Sequence, residues 1–199
     1  MDVEQLGAQF VCFSGHKIGA LAGTGVLWLA RGFPAQAIIP GKQEKGRRGG
    51  TENLAGIMTL GAAASELNPL SWASRVAPLR DRLQAEIGQR IPGTLVNGEK
   101  APRIANTLSL SFEGIEGDGL VMALDLAGYS VSAGSACASG VLEPSHVLLA
   151  MGRSKAEAMA AIRISFVDEL PWEHLEGFTA ALEKIILRMK NARLNSVLS

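Results

Sequence analysis

Cys137 stands in the run Val131-Ser-Ala-Gly-Ser-Ala-Cys-Ala-Ser-Gly140, whose small side chains leave its sulfur unshielded and its backbone free to flex. Such a loop can present a thiolate as a nucleophile; it can equally be a glycine turn over a small buried cysteine. Lys17 closes the tetrad Ser14-Gly-His-Lys17, which stops an apolar, β-prone run at residues 10–13. A polar tetrad at the end of a buried strand is where α/β sheets put their chemistry, although Lys17 read alone is a surface charge and His16 a core histidine. Thr51 ends a charged, glycine-rich loop that begins at Gly41, and it is well typed to cap a helix starting with Glu52 and Asn53. Outward-pointing N–H groups there, with Gly49 and Gly50, can hold an anion such as phosphate; the alternative is a solvated loop. Arg163 lies between Ile162 and Ile164, so strand phase turns its guanidinium away from the core they mark.

The elements that must position these residues follow from periodicity. Residues 10–13 and 24–30 read as buried strands separated by a loop with Gly19 and Gly23, after a connector or helix tail at residues 2–8. A helix follows Thr51 through Leu54, Ile57, Met58 and Leu60. Composition shifts at Asn68-Pro69, which predicts a domain boundary near residue 70. Val76, Leu79, Leu83 and Ile87 then recur at helical spacing up to Pro92-Gly93. Residues 94–96, 107–112 and 129–132 read as strands, with Leu108, Leu110 and Phe112 alternating. Leu120, Val121 and Leu124 form a helix closed by Gly128. Glu143-Pro-Ser-His146 starts a helical turn and Ser154-Lys-Ala-Glu157 is a capping box. A strand with Ile162, Ile164 and Phe166 and a long helix from Pro171, carrying Leu175, Phe178, Leu182, Ile185 and Met189, complete a small α/β or α+β sandwich.

Composition narrows the function classes. The 199 residues are 47% hydrophobic, with 19 basic and 19 acidic side chains, an ordinary globular balance that argues against nucleic acid as a partner. The most apolar run, residues 18–30, contains three glycines and falls short of the roughly 20 residues of a membrane helix. No membrane span and no signal peptide are expected, and a cytoplasmic location follows by default. Cys12 and Cys137 fit neither a disulfide scaffold nor a metal motif, so a reducing compartment and no metal are expected; Cys12, in an apolar strand, is expected to be the inert thiol.

Ser14-Gly-His-Lys17, the loop Gln43-Glu-Lys-Gly-Arg-Arg-Gly-Gly-Thr-Glu-Asn53, Asn106-Thr-Leu-Ser, and Gly134-Ser-Ala-Cys-Ala-Ser-Gly140 followed by Glu143-Pro-Ser-His146 occur in one order. Together they resemble the cysteine desulfurases of the nitrogen-fixation and iron–sulfur-cluster type, in the class-V aminotransferase family, over essentially the whole chain. The resemblance implies a fold-type I pyridoxal-phosphate-dependent transferase: residues 1–70 as the C-terminal part of the large cofactor domain and residues 71–199 as the small α/β domain carrying the cysteine loop. It implies pyridoxal 5'-phosphate (PLP) as cofactor, with Lys17 holding its aldehyde and Ser14 and His16 binding its phosphate. Thr51 reaches the phosphate of the neighbouring subunit in a homodimer, and Arg163 clamps the substrate carboxylate. Cys137 is then the nucleophile that takes sulfur from L-cysteine as a persulfide and passes it to an acceptor protein. Arg48, in the charged loop, is a further candidate for the neighbourhood of substrate or cofactor, its contact with the site left open.

The chain also departs from that family. It begins near the midpoint of family members roughly twice its length. The histidine stacked on the cofactor, the aspartate at its pyridine nitrogen and the glutamine near its phenolic oxygen belong to the family's first half, and neither His146 nor His174 takes their place. Little or no desulfurase activity of the isolated chain is therefore expected. Gly19-Ala-Leu21 replaces a more usual aromatic, glycine and proline run, and Gly49 stands where a serine is common. Other readings are a non-catalytic remnant or sulfur-relay module, a selenocysteine lyase, and a fold-sharing aminotransferase, which has no need of Cys137.

Overall fold

Leu108, Leu110 and Phe112 alternate along one strand, Ile162 and Ile164 along another, and in the structure these two strands pair at the centre of an antiparallel sheet. The structure is a computed structural model describing residues 2–133, 143–166 and 170–198. Its backbone divides into two compact units, Met1–Asn68 and Pro69–Ser199.

The C-terminal unit contains α3 (Pro69–Arg90), β3 (Thr94–Val96), β4 (Thr107–Phe112), α4 (Gly117–Leu126), β5 (Ser132–Ala133), α5 (His146–Ala150), α6 (Lys155–Met159), β6 (Ala161–Ser165) and α7 (Trp172–Leu198). The strands form one sheet in the order β3-β4-β6-β5, every pairing antiparallel. Leu108 faces Ile164 and Leu110 faces Ile162 across the ladder, so the central strand pair presents one apolar side. That side is covered by Val76, Leu83 and Ile87 of α3, Leu120 and Leu124 of α4, and Leu175, Phe178, Leu182 and Ile186 of α7. Each large aliphatic side chain removed from water here contributes about 1.5–3 kcal/mol before entropy is counted. Helices α3 and α7 are further joined by Arg90, which donates from Nε (2.9 Å) and Nη2 (2.7 Å) to Glu183, and by Arg82 stacked over the Trp172 ring at 3.5 Å.

Helix ends follow the local chemistry. Gly128, at φ +87°, terminates α4, and its N–H donates to Asp125 O. The Ser154 hydroxyl accepts from Glu157 N and the Glu157 carboxylate accepts from Ser154 N at 2.7 Å, so the predicted capping box is complete. These bonds to Ser154 hold the Glu157 carboxyl below its ordinary range. The strand read at residues 129–132 is shorter and later, confined to Ser132–Ala133, because the backbone of Tyr129 is still occupied by the end of α4, donating to Leu124 O.

The N-terminal unit is different in kind. β1 (Phe10–Ser14) and β2 (Gly25–Leu29) form a two-stranded antiparallel ribbon, Phe10 opposite Leu29 and Ser14 opposite Gly25; a helical turn α1 (Gln43–Gly46) and the helix α2 (Leu54–Glu66) follow. The sequence predicted buried strands, and here the structure corrects the expectation: Phe10 is 58% exposed, Leu27 56% and Cys12 also exposed. A lone ribbon covers neither of its own faces, so apolar character on both faces does not produce burial. No helix among the described residues is long and apolar enough to cross a membrane.

Two outcomes follow. Leu110→Ala, at a fully buried position between α3, α4 and α7, should cost the C-terminal unit about 2–5 kcal/mol in urea unfolding, whereas Leu27→Ala on the exposed ribbon should leave that transition unmoved. Because the folded-state value of Glu157 is lowered, its contribution is fully present above about pH 4.3, the unfolded value, and is lost as pH falls through the lower folded value. The stability gap between wild type and Glu157→Ala should therefore be present at pH 7 and close in acid.

Candidate active site

Four residues at the end of β1 present three different polar groups. Ser14 is the last residue of β1, and Gly15–Ile18 is a single 3-10 turn. Gly15 N donates to Thr24 O at 2.8 Å and Ala20 N to Gly15 O at 3.1 Å, while Gly19, at φ +94°, closes the turn. Gly15 is required by space: a Cβ there would stand 2.9 Å from Thr24 O and 3.2 Å from Leu60 Cδ1 of α2. Thr59 of α2 adds a second tie, its hydroxyl accepting from Leu21 N at 3.3 Å. With its backbone so held, the turn leaves Ser14, His16 and Lys17 exposed. A hydroxyl, an imidazole and a primary amine within four residues are a donor set that fits a phosphorylated aldehyde such as PLP: hydroxyl and ring donors for the phosphate, the amine for the carbonyl.

The charged loop is folded back on itself. Gly41 and Gly49 approach so closely that a Cβ on either would collide with the other's backbone or with Pro40, and Gly49 N donates to Ile39 O at 2.7 Å. A side chain at position 49 would have to displace the Pro40–Gly41 backbone. Glu44 and Lys45 occupy the left-handed region at φ +48° and +58°. Arg48 donates from Nη1 to Gly49 O at 2.7 Å, so its guanidinium braces the loop. The expected cap at Thr51 is corrected: α2 starts at Leu54, and Asn53 is the capping residue, its side chain accepting from Gly56 N at 3.1 Å. The amide oxygen of Asn53 reaches the N3 donor, and Thr51, two residues earlier, is left exposed with its hydroxyl free of the helix end.

In the C-terminal unit, Arg163 is exposed at the middle of β6 on the sheet side opposite Ile162 and Ile164, as strand phase required. Its cross-strand neighbours are Ser109 on β4 and Ser132 on β5, and its Nη2 donates to Ser132 Oγ at 3.5 Å. These serines were not singled out from the sequence, since only the register places them beside Arg163. Asn106 also gains a role: its side-chain N–H donates to Phe166 O at 2.8 Å while Phe166 N donates to Asn106 O, fastening β4 to the end of β6. A further polar group escaped the sequence entirely. Buried Asn97 donates to Ser109 and Ser111 hydroxyls and accepts from Arg153 Nε at 2.7 Å, a network joining residues more than fifty positions apart. The cysteine loop, and with it Cys137, lies outside the described residues. Ser14, His16, Lys17 and Thr51 thus belong to the N-terminal unit, and Arg163 to the C-terminal one.

The family model for class-V aminotransferases matches residues 1–177. Cysteine desulfurases from Gluconacetobacter diazotrophicus and Cereibacter sphaeroides are 42% and 46% identical over 172 and 153 residues, covering 85% and 76% of this chain and 43% and 39% of the relatives. A solved NifS-like protein from Rickettsia africae matches with a TM-score of 0.78 at 28% identity, over 93% of this chain and 49% of that one. The chain spans less than half the length of these relatives, and its α/β fold is a partial form of the fold-type I PLP-transferase architecture. With the matched region running through both units, the chain belongs to the class-V aminotransferase family, whose identity implies a PLP cofactor.

Proposed function

We propose that this chain carries the lysine, the phosphate-side donors, the carboxylate clamp and the nucleophilic thiol of a PLP-dependent cysteine desulfurase, acting on L-cysteine to give L-alanine and a persulfide. The observation that carries the reading is the turn at residues 14–17, in which a backbone locked by Gly15 and Gly19 offers Ser14, His16 and Lys17 together at a strand end. Lys17 Nζ would hold the cofactor aldehyde, and Ser14 and His16 would hold its phosphate. Thr51 serves the phosphate of a second subunit in a homodimer, and Arg163 orients the substrate carboxylate with two parallel donors. When bound, the cofactor supplies an electron sink next to the substrate's carbon–sulfur bond.

Cys137 performs the sulfur transfer. Its thiolate attacks the substrate sulfur, an S–S bond forms, and the substrate C–S bond breaks with its electron pair remaining on carbon. That carbon takes a proton and becomes the methyl group of alanine, while the persulfide sulfur awaits an acceptor protein in iron–sulfur-cluster or related biosynthesis. A loop of glycine, alanine and serine suits a carrier that must move from donor to acceptor. A second reading is a sulfur-relay module working without bound cofactor.

The two readings separate experimentally. Incubation with PLP followed by borohydride should leave a reduced pyridoxyl adduct on Lys17 by peptide mass spectrometry, absent in Lys17→Ala; no adduct on Lys17 favours the relay. Given L-cysteine and PLP, the chain should show little or no multiple-turnover sulfide release but should gain up to one sulfur on Cys137, detectable after alkylation. Cys137→Ala should lose that sulfur and keep the Lys17 adduct, and sulfur release unchanged in this variant would remove Cys137 as the nucleophile.

A further inference from the structure

Helices α4 and α7, packed against each other over the core, leave between their outer surfaces a groove of about 650 Å³. Ala123 of α4, Ala127 at its C-cap and Ala181 of α7 line it with methyl groups, and Leu126, Ile185 and Met189 add larger apolar surface. Leu126 is 91% exposed, a cost the fold gains nothing from by itself. Small residues in this position let another helix approach closely, and a flexible methionine adapts to the side chains it brings.

The rim is charged. Lys184 and Arg188 lie one turn apart on α7 and both line the groove. Arg80, Arg90 and Arg153 of the same unit are each within 4.0 Å of a carboxylate. Among the described residues Lys184 and Arg188 have no ion-pair partner, and Asp125, beside Leu126 on α4, pairs with neither. Two adjacent unpaired cations beside an apolar slot complement an apolar surface bordered by acids.

We propose that the α4–α7 groove docks an amphipathic helix of a partner protein, whose apolar face fills the slot and whose carboxylates, one turn apart, pair with Lys184 and Arg188. The inference stands apart from the sulfur chemistry, since none of these residues belongs to the proposed active site.

The test uses the full chain and fluorescence anisotropy with two synthetic helical peptides. Both carry leucines along one face, one with flanking glutamates one turn apart and one with lysines in their place. The glutamate peptide should bind, and Lys184→Glu/Arg188→Glu should weaken it by about tenfold or more while gaining the lysine peptide. Ala127→Trp, at an exposed position that fills the groove, should abolish binding of the glutamate peptide with the fold retained by circular dichroism. Equal binding of the two peptides, binding of neither, or binding unaffected by Ala127→Trp would overturn the proposal. So would a groove occupied otherwise: phosphatidylserine vesicles bound in place of the glutamate peptide, or a self-association in sedimentation that Ala127→Trp removes.

Discussion

The pairing of β4 with β6 is the constraint on which the C-terminal unit depends. Its register puts Leu108 against Ile164 and Leu110 against Ile162, and in the same stroke Ser109 against Arg163. A shift of one residue would send every one of these side chains to the other face. The helices α3, α4 and α7 would lose their apolar platform, and Arg163 would be driven into it. Core packing and the placement of the guanidinium are therefore one structural fact, and Asn106, clamped to Phe166, secures the end of the ladder where a slip would begin.

In the N-terminal unit order rests on close backbone approach. Gly15 against Thr24 and Leu60, and Gly41 against Gly49, bring segments nearer than any side chain would allow. Hydrogen bonds and glycines hold the turn with Lys17, while Phe10, Leu27 and their neighbours stay in contact with solvent. Hydrophobic burial, the usual source of stability, is scarce there. The groups proposed to bind the cofactor thus sit on a locally defined but sparsely buried scaffold, whereas Arg163 stands on a well-packed one.

Much of this was legible in the residues. The capping box at Ser154, the stop at Gly128, the helical stripe through Val76, Leu83 and Ile87 and the inward face of β4 depend on contacts within a turn or on strict periodicity, which a sequence displays directly. The cap of α2 was misplaced by two residues because Thr51 and Asn53 are both good capping types, and which of them meets Gly56 N is settled by the path of the loop. Exposure of the ribbon was misjudged because an apolar run records what a strand is suited to contact, and burial depends on what is present to cover it.

By itself the sequence determined the helical and strand periods, the chemistry available at Ser14, His16, Lys17, Thr51, Cys137 and Arg163, and the family, since these are properties of residue type and order. The tertiary structure alone decided that Ser109 and Ser132 flank Arg163, that Asn97 joins Arg153 to two strand serines, and that a side chain at position 49 would have to displace the Pro40–Gly41 backbone. Those facts depend on register and on backbone separations of a few ångströms between segments distant in the chain, and such distances come into being only when the chain folds.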